Sequence, residues 1–204
     1  MFRIRIAELG TPDFTAWLRL RTDLYLDTGL ITLDDLDGPS ALYTDTYDDY
    51  STHLLASDDD GVDVGCCRMI EPQGDQTLPV TDLFGIDPVH RSFEGSGVAV
   101  LPRLRKSMMS LGLYRAMAYV GDQRGYEYSY SIIEAPVLAS LLRLGYPLRV
   151  LSEPRFVFNA PNVAAIMDRT EILRSLERID ASSLVLRYYR KPFEWSLTEK
   201  DLTP

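Results

Sequence analysis

Apolar and charged residues alternate from Phe2 to Ala7, the period of a strand with one buried face. Thr11-Pro12-Asp13 then opens a segment with Phe14, Trp17, Leu18, Arg21 and Tyr25 at helical spacing. Residues 27–50 are rich in Asp, Thr, Gly and Tyr with little periodicity, which predicts a long irregular segment holding at most short helical turns. A loop of that length inside a compact domain points to function. Two apolar runs, Thr52–Ser57 and Val62–Ile70, flank Asp58-Asp59-Asp60-Gly61, the signature of a β-hairpin. The run 78–84 fits helix or strand equally. Arg91–Leu101 reads as a strand ended by Pro102, and Arg103–Gln123 as a helix carrying Leu104, Met108, Leu111, Met117 and Ala118. Gly112 costs that helix about 1 kcal/mol. Beyond it the pattern predicts a strand over Tyr126–Ile133 and a helix over Ala135–Leu144 closed by Gly145. A strand over Val150–Phe158, a charged helix over Asp168–Ile179 and a last strand over Ser183–Tyr189 complete the order.

This succession predicts a single α/β domain over residues 1–204, three-layered, with a mixed, mostly antiparallel sheet and one strand–helix–strand crossover after residue 91. The 204 residues are 46% hydrophobic and 25% charged, which excludes a disordered chain. A net charge of −9 argues against a nucleic-acid partner. The charge is uneven: residues 1–100 hold 6 basic and 19 acidic side chains, whereas residues 101–160 hold 8 basic and 4 acidic. Arg103, Arg105 and Lys106, with Arg115 and Arg124 beyond, are expected on or beside one helix, where an acidic partner would dock. Cys66 and Cys67 are adjacent and point to opposite faces of a strand, so no disulfide framework is expected. His53 and His90 are too few for a zinc site, and no metal site is expected. The first residues lack an apolar leader and no stretch suits a membrane span, so a cytoplasmic protein is expected.

One constellation stands out: Arg21 and Tyr25 at helical spacing, Asp45-Thr-Tyr-Asp48 in the irregular segment, Gly65-Cys-Cys-Arg68 in the hairpin, and Phe93-Glu94-Gly-Ser96 on the following strand. It resembles the acyl-homoserine-lactone (autoinducer) synthases and their relatives the long-chain N-acyl amino acid synthases, both GNAT-like acyltransferases. Their pattern runs Arg-x-x-x-aromatic, Asp-x-x-Asp, Gly-x-x-Arg-Leu and Glu-x-Ser-Arg-Phe-x-Val. Residues 18–150 carry the resemblance. Gly97 stands where the lactone synthases have arginine and Ile31 where they carry tryptophan, both in the pocket for S-adenosylmethionine.

The resemblance implies a GNAT-like fold with a cleft near residues 94–100 and 126–132. It also implies substrate contacts from Arg21, Tyr25, Asp45, Asp48, Arg68, Ser96 and Val98, and no permanently bound cofactor. The implied reaction moves an acyl group from an acyl thioester to the amine of an amino acid or related small molecule. Lactone synthesis from S-adenosylmethionine is the alternative, and a non-catalytic acyl- or partner-binding domain a further one. Joining a thioester to an amine requires the amine to lose a proton. Glu94 lies on an otherwise apolar strand, where burial would raise its pKa, and is the candidate base, unless it pairs with Arg68 or Arg91 instead. Asp45 and Asp48 could hold an ammonium group or orient Arg21 and Arg68. Ser96 has no triad-like His and Asp beside it, so it is not expected to be a nucleophile. The segment Leu101–Lys106 carries no Gly-x-Gly-x-x-Gly phosphate loop, which favours acyl carrier protein over free coenzyme A as donor, docked on Arg103, Arg105 and Lys106.

Overall fold

The computed structural model describes residues 2–36, 38, 41–105, 107, 109–180 and 183–197. In chain order the elements are β1 (Phe2–Ala7), α1 (Pro12–Thr28), β2 (Ser51–Ser57), β3 (Asp63–Ile70), α2 (Pro79–Phe84), β4 (Ser92–Val100), α3 (Met109–Gln123), β5 (Tyr128–Glu134), α4 (Ala135–Leu144), β6 (Leu148–Val150), β7 (Arg155–Val157), β8 (Ala160–Asp168), α5 (Ile172–Ile179), α6 (Leu184–Arg190) and β9 (Ser196–Leu197). They fall into two compact units: Met1–Ile70, Ser96–Met117 and Glu194–Pro204 form the first, Glu71–Gly95 and Ala118–Phe193 the second. None of the described helices is long and apolar enough to cross a membrane.

In the first unit β1 pairs antiparallel with β2, and β2 with β3, so that Ala7 faces His53 and His53 faces Arg68 across the ladder. The Asp58–Gly61 turn closes the β2–β3 hairpin with Gly61 at φ 77°, a conformation glycine adopts without strain. Helix α1 starts where the sequence signals it. Thr11 accepts a hydrogen bond from the Phe14 N–H, Pro12 occupies the first turn, and Gly29 ends the helix at φ 71°. Its apolar stripe buries Trp17, Leu18, Leu20 and Leu24 against Ala7, Leu55 and Cys66. The Trp17 indole N–H, which burial would otherwise strand, donates to the Cys67 carbonyl at 3.0 Å.

In the second unit β4 runs parallel to β5 over Ser92–Glu94 and Tyr128–Tyr130. Every other pairing there is antiparallel: β5 with β8 along its whole length, and β8 with the short β6 and β7. The expected strand over Val150–Phe158 is thus two pieces, β6 and β7, laid along β8. Strand β8 itself was not predicted. Its Ala-Pro-Asn-Val-Ala-Ala sequence has weak strand propensity, and its hairpin turn is made by Phe158 and Asn159, both at positive φ, in place of an Asn-Gly pair.

Two further expectations are corrected. Ser183–Tyr189 is helix, not strand: Ser183 caps it by accepting from the Leu186 N–H, and adjacent Val185 and Leu186 are both buried, which one face of a strand cannot provide. The helix expected from Arg103 begins at Met109, with a single 3-10 turn over Pro102–Leu104 before it. Residues 78–84, ambiguous by pattern, contain α2, with proline at its first turn and Gly85 at its end.

Arg169 ties the second unit together. Its side chain is almost wholly buried and donates to the Tyr126 carbonyl at 2.5 Å, to the Ala118 carbonyl, and to Asp122 at 2.6 Å. It reaches the α3 backbone because Gly121 has no Cβ, which would lie 2.7 Å from a guanidinium nitrogen. Glycine to alanine inside a helix ordinarily gains ~1 kcal/mol, but here it displaces a buried cation from three acceptors. Gly121→Ala is therefore expected to destabilise the protein by about 1–2 kcal/mol net in urea unfolding. A stabilised variant would refute that role for Arg169.

Candidate functional site

A charged residue in an apolar strand must find partners, and Arg68 on β3 finds them in the irregular segment. Its guanidinium grips Asp45 with both terminal nitrogens at 2.7 Å and also donates to Asp48 at 2.5 Å. Arg21, on α1, donates to both oxygens of Asp48 at 2.9 and 2.7 Å and to the Tyr43 carbonyl at 2.5 Å. The Arg21 guanidinium lies over the rings of Trp17 and Tyr43, 4.3 and 5.1 Å from their centroids. Two guanidinium groups thus face two carboxylates, a balanced cluster among groups that are mostly out of solvent. Of the alternatives open for Asp45 and Asp48, the geometry is that of carboxylates orienting Arg21 and Arg68.

The same bonds fix the backbone of the irregular segment. Asp48 accepts from the Asp45 N–H, Asp45 from the Tyr47 N–H, and Thr22 on α1 from the Tyr43 N–H. Only one turn of regular structure, the 3-10 turn Asp48–Tyr50, is needed to present the pair.

His53, Trp17 and Tyr43 belong to this cluster and were not singled out as site residues. His53 is fully buried, with Trp17 and Phe14 packed edge-on against it, and its Nε2 lies 3.4 Å from Asp48. Its place beside Arg68 in the ladder is a matter of register, which residue type alone does not carry. Burial lowers the His53 pKa and outweighs the pull of Asp48, so the ring is neutral at neutral pH. For Asp48 burial opposes the charge, but the bonds from His53 and Arg21 and the positive charges of Arg21 and Arg68 prevail. They hold its carboxyl well below the usual carboxylate range.

Tyr25 lies one helical turn beyond Arg21, half-buried, its ring 5.9 Å from that of Tyr43. On β4, Ser96 and Val98 are half-buried, and Gly97 between them has φ +64°. A Cβ at Gly97 would stand 2.6 Å from the Tyr25 hydroxyl. At the position where the lactone synthases carry arginine, a side chain is thus strained here by backbone conformation and would have to displace the phenol. Ile31, at the family's tryptophan position, is buried.

Glu94 lies in the second unit, on β4, with 2% exposure, and accepts a hydrogen bond from the Val80 N–H of α2 at 2.8 Å. The ion pairs weighed for it are committed elsewhere: Arg68 to the aspartates, Arg91 to Glu127 and the Gly125 carbonyl.

The expected basic docking surface is largely neutralised. Arg103 pairs with Asp58 at 3.2 Å, Arg105 with Asp27 at 2.7 Å, and Arg124 with Glu71. Arg115 is buried, and Arg103 and Arg105 precede α3 instead of lining it. Lys106 and Met108 lie outside the described residues.

No protein-family sequence model matches the chain, and no curated protein does. Solved structures match it closely in fold. A CoA-dependent acyl-homoserine lactone synthase, BjaI, with MTA, aligns with a TM-score of 0.68 at 22% identity, over 89% of this chain and 88% of that one. The AHL synthase LasI aligns with a TM-score of 0.70 at 15% identity, over 89% and 95%. FeeM, an N-acyl amino acid synthase from uncultured soil microbes, aligns with a TM-score of 0.63 at 16% identity, over 89% and 99%. The chain has the GNAT-like fold of these enzymes.

The network makes two predictions. Asp48→Asn leaves two buried guanidinium groups short of a countercharge and is expected to cost about 3–5 kcal/mol of stability. Asp45→Asn, at the more exposed end, should cost less, and equal losses in chemical denaturation would contradict the geometry. The second concerns pH. The folded pKa of His53 lies below the unfolded ~6.5, so the unfolded chain binds a proton that the native chain does not. Stability is therefore expected to fall as pH drops below ~6.5, by up to about 1.4 kcal/mol per unit from this residue. His53→Gln should flatten that slope in urea titrations between pH 7 and 5, and an unchanged slope would exclude His53 as its source.

Proposed function

We propose that the protein is an N-acyltransferase that moves an acyl group from an acyl thioester to the amine of an amino acid or a related small molecule, the whole chain serving as one acyltransferase domain. The observation that carries this reading is Glu94, a carboxylate almost wholly out of solvent on β4, held at one oxygen by the Val80 N–H. As the base, Glu94 would take the amine proton, directly or through a water. The amine nitrogen then attacks the thioester carbonyl, the C–S bond breaks and the thiol leaves. Arg21, Asp45, Asp48 and Arg68 would hold the loop that receives the acceptor, and Tyr25, Ser96 and Val98 would contact it. The likeness in fold to a lactone synthase and an N-acyl amino acid synthase supports the reaction class.

The donor is an acyl thioester of either acyl carrier protein or coenzyme A, which present the same reacting carbonyl. Carrier protein is favoured by the missing phosphate loop, with Arg103 and Arg105 as its contacts. Their pairing with Asp58 and Asp27 means that docking would exchange existing ion pairs for new ones. Lactone synthesis from S-adenosylmethionine is the second reading, and the strained position at Gly97 counts against it.

Glu94→Gln keeps the size of the side chain and removes its basicity. With acyl-thioester donors and amine acceptors, thiol release is expected to fall by about 10²–10⁴ while the circular-dichroism spectrum stays unchanged. An unaltered rate would remove Glu94 as base. Release of methylthioadenosine from S-adenosylmethionine would favour the second reading, and failure to release thiol with every acceptor tested would leave only a binding role.

A further inference from the structure

The carboxylate of Glu94 is held by a main-chain group, and what holds that group lies in the same unit. Helix α2 has six residues, Pro79–Phe84, too few to form a stable helix unaided. Its placement therefore depends on what grips the segment around it, and three hydrogen bonds do so. The Val80 N–H donates to Glu94 on β4 at 2.8 Å, the Leu83 carbonyl accepts from the Arg155 guanidinium on β7 at 2.8 Å, and the Val89 N–H donates to the Tyr130 hydroxyl on β5 at 3.1 Å.

The strand register puts these three anchors on one face. Glu94 pairs with Tyr130, and Tyr130 with Ile166. Ile166 and Asn162 are four residues apart on β8 and share a face, and Asn162 pairs with Arg155. The α2 segment is thus strapped across the face that carries Glu94.

The anchors are not equivalent. Glu94 and Tyr130 are each 2% exposed and lie on strands well inside the pairing order. Arg155 is exposed, forms no ion pair among the described residues, and sits on β7, which pairs with β8 alone. It places a cation at the carbonyl end of α2, where the helix dipole favours one, with its guanidinium 5.5 Å from the centroid of the Phe84 ring. The helix moves as one piece, because Gly85 donates to the Thr81 carbonyl at 2.8 Å and closes its last turn. A displacement at Leu83 is therefore felt at Val80, less than one turn away.

We propose that Arg155 is a positioning residue for Glu94: by holding the Leu83 carbonyl it sets the placement of α2, and through the Val80 N–H it sets the angle of the carboxylate that takes the amine proton. The proposal rests on the acyltransfer reading and deepens it.

The test is Arg155→Ala in the intact protein, with palmitoyl-coenzyme A or palmitoyl-acyl carrier protein as donor and a mixture of amino acids as acceptor, thiol release being followed between about pH 5 and 9. The plateau kcat is expected to fall about fivefold, with the KM of the donor within about twofold of the native value. Slackening the bond from Val80 withdraws a donor from the charged carboxylate, so the acid limb of the kcat profile should move up by about half a pH unit. A native kcat, or a lower kcat with the limb unmoved, would overturn the proposal. Glu94→Gln measured alongside separates the two levels. Full activity of Glu94→Gln, or a native chain that releases no thiol, removes the acyltransfer reading with Glu94 as base. An impaired Glu94→Gln beside an unimpaired Arg155→Ala removes only the role given to Arg155.

Discussion

A guanidinium inside an apolar β-strand is the constraint on which the first unit depends. Arg68 sits on β3 among buried neighbours, where an unpaired charge would cost more than a domain's typical margin of stability allows. Its neutralisation requires Asp45 and Asp48, which requires that the segment before β2 fold back over the sheet. Asp48 in turn also receives Arg21, delivered by α1, so that two cations share two carboxylates. Helix, loop and strand are therefore fixed by one set of charge-assisted hydrogen bonds. A loop with little regular structure acquires a defined backbone because its own N–H groups donate to the carboxylates that the arginines hold.

This arrangement separates two tasks that are easily confused in a sequence. Arg21 and Asp48 carry the chemistry of a binding site, charge and directionality, yet both are under the surface. They act on what is above them by holding Asp45 and Tyr43 in place. Asp45 is the member of the set with exposure enough to meet another molecule. The acidity of the first hundred residues is partly explained in the same way: some of its carboxylates are structural counterions and not a diffuse surface charge.

The sequence made the first unit legible because each of its signals is local. Alternation from Phe2, the Thr11-Pro12 start of α1, and the Asp-Gly turn of the hairpin each act within a few residues, and each appears where expected. The aspartate and arginine spacings were equally visible, though which aspartate meets which arginine was not. The misreadings in the second unit have a common cause. β8 has a composition that contributes little strand propensity of its own and is a strand because β5 lies along it from Asn162 to Asp168, while α6 is rich in strand-favouring residues and is helical because of its cap and its burial. The basic island was legible as composition, but its ion pairing was not. Its acidic partners, Asp27, Asp58 and Glu71, lie more than forty residues away along the chain.

The close approach of Gly97 and Tyr25 bears on how such a chain can change over generations. A side chain can enter position 97 only after the phenol has left and the backbone has given up its left-handed turn. A smaller residue at position 25 would in turn open a void beside Tyr43 before anything could fill it. Each substitution is harmful without the other, so the order of mutations matters and single steps are filtered out. The pair behaves as one heritable unit, whose members change together.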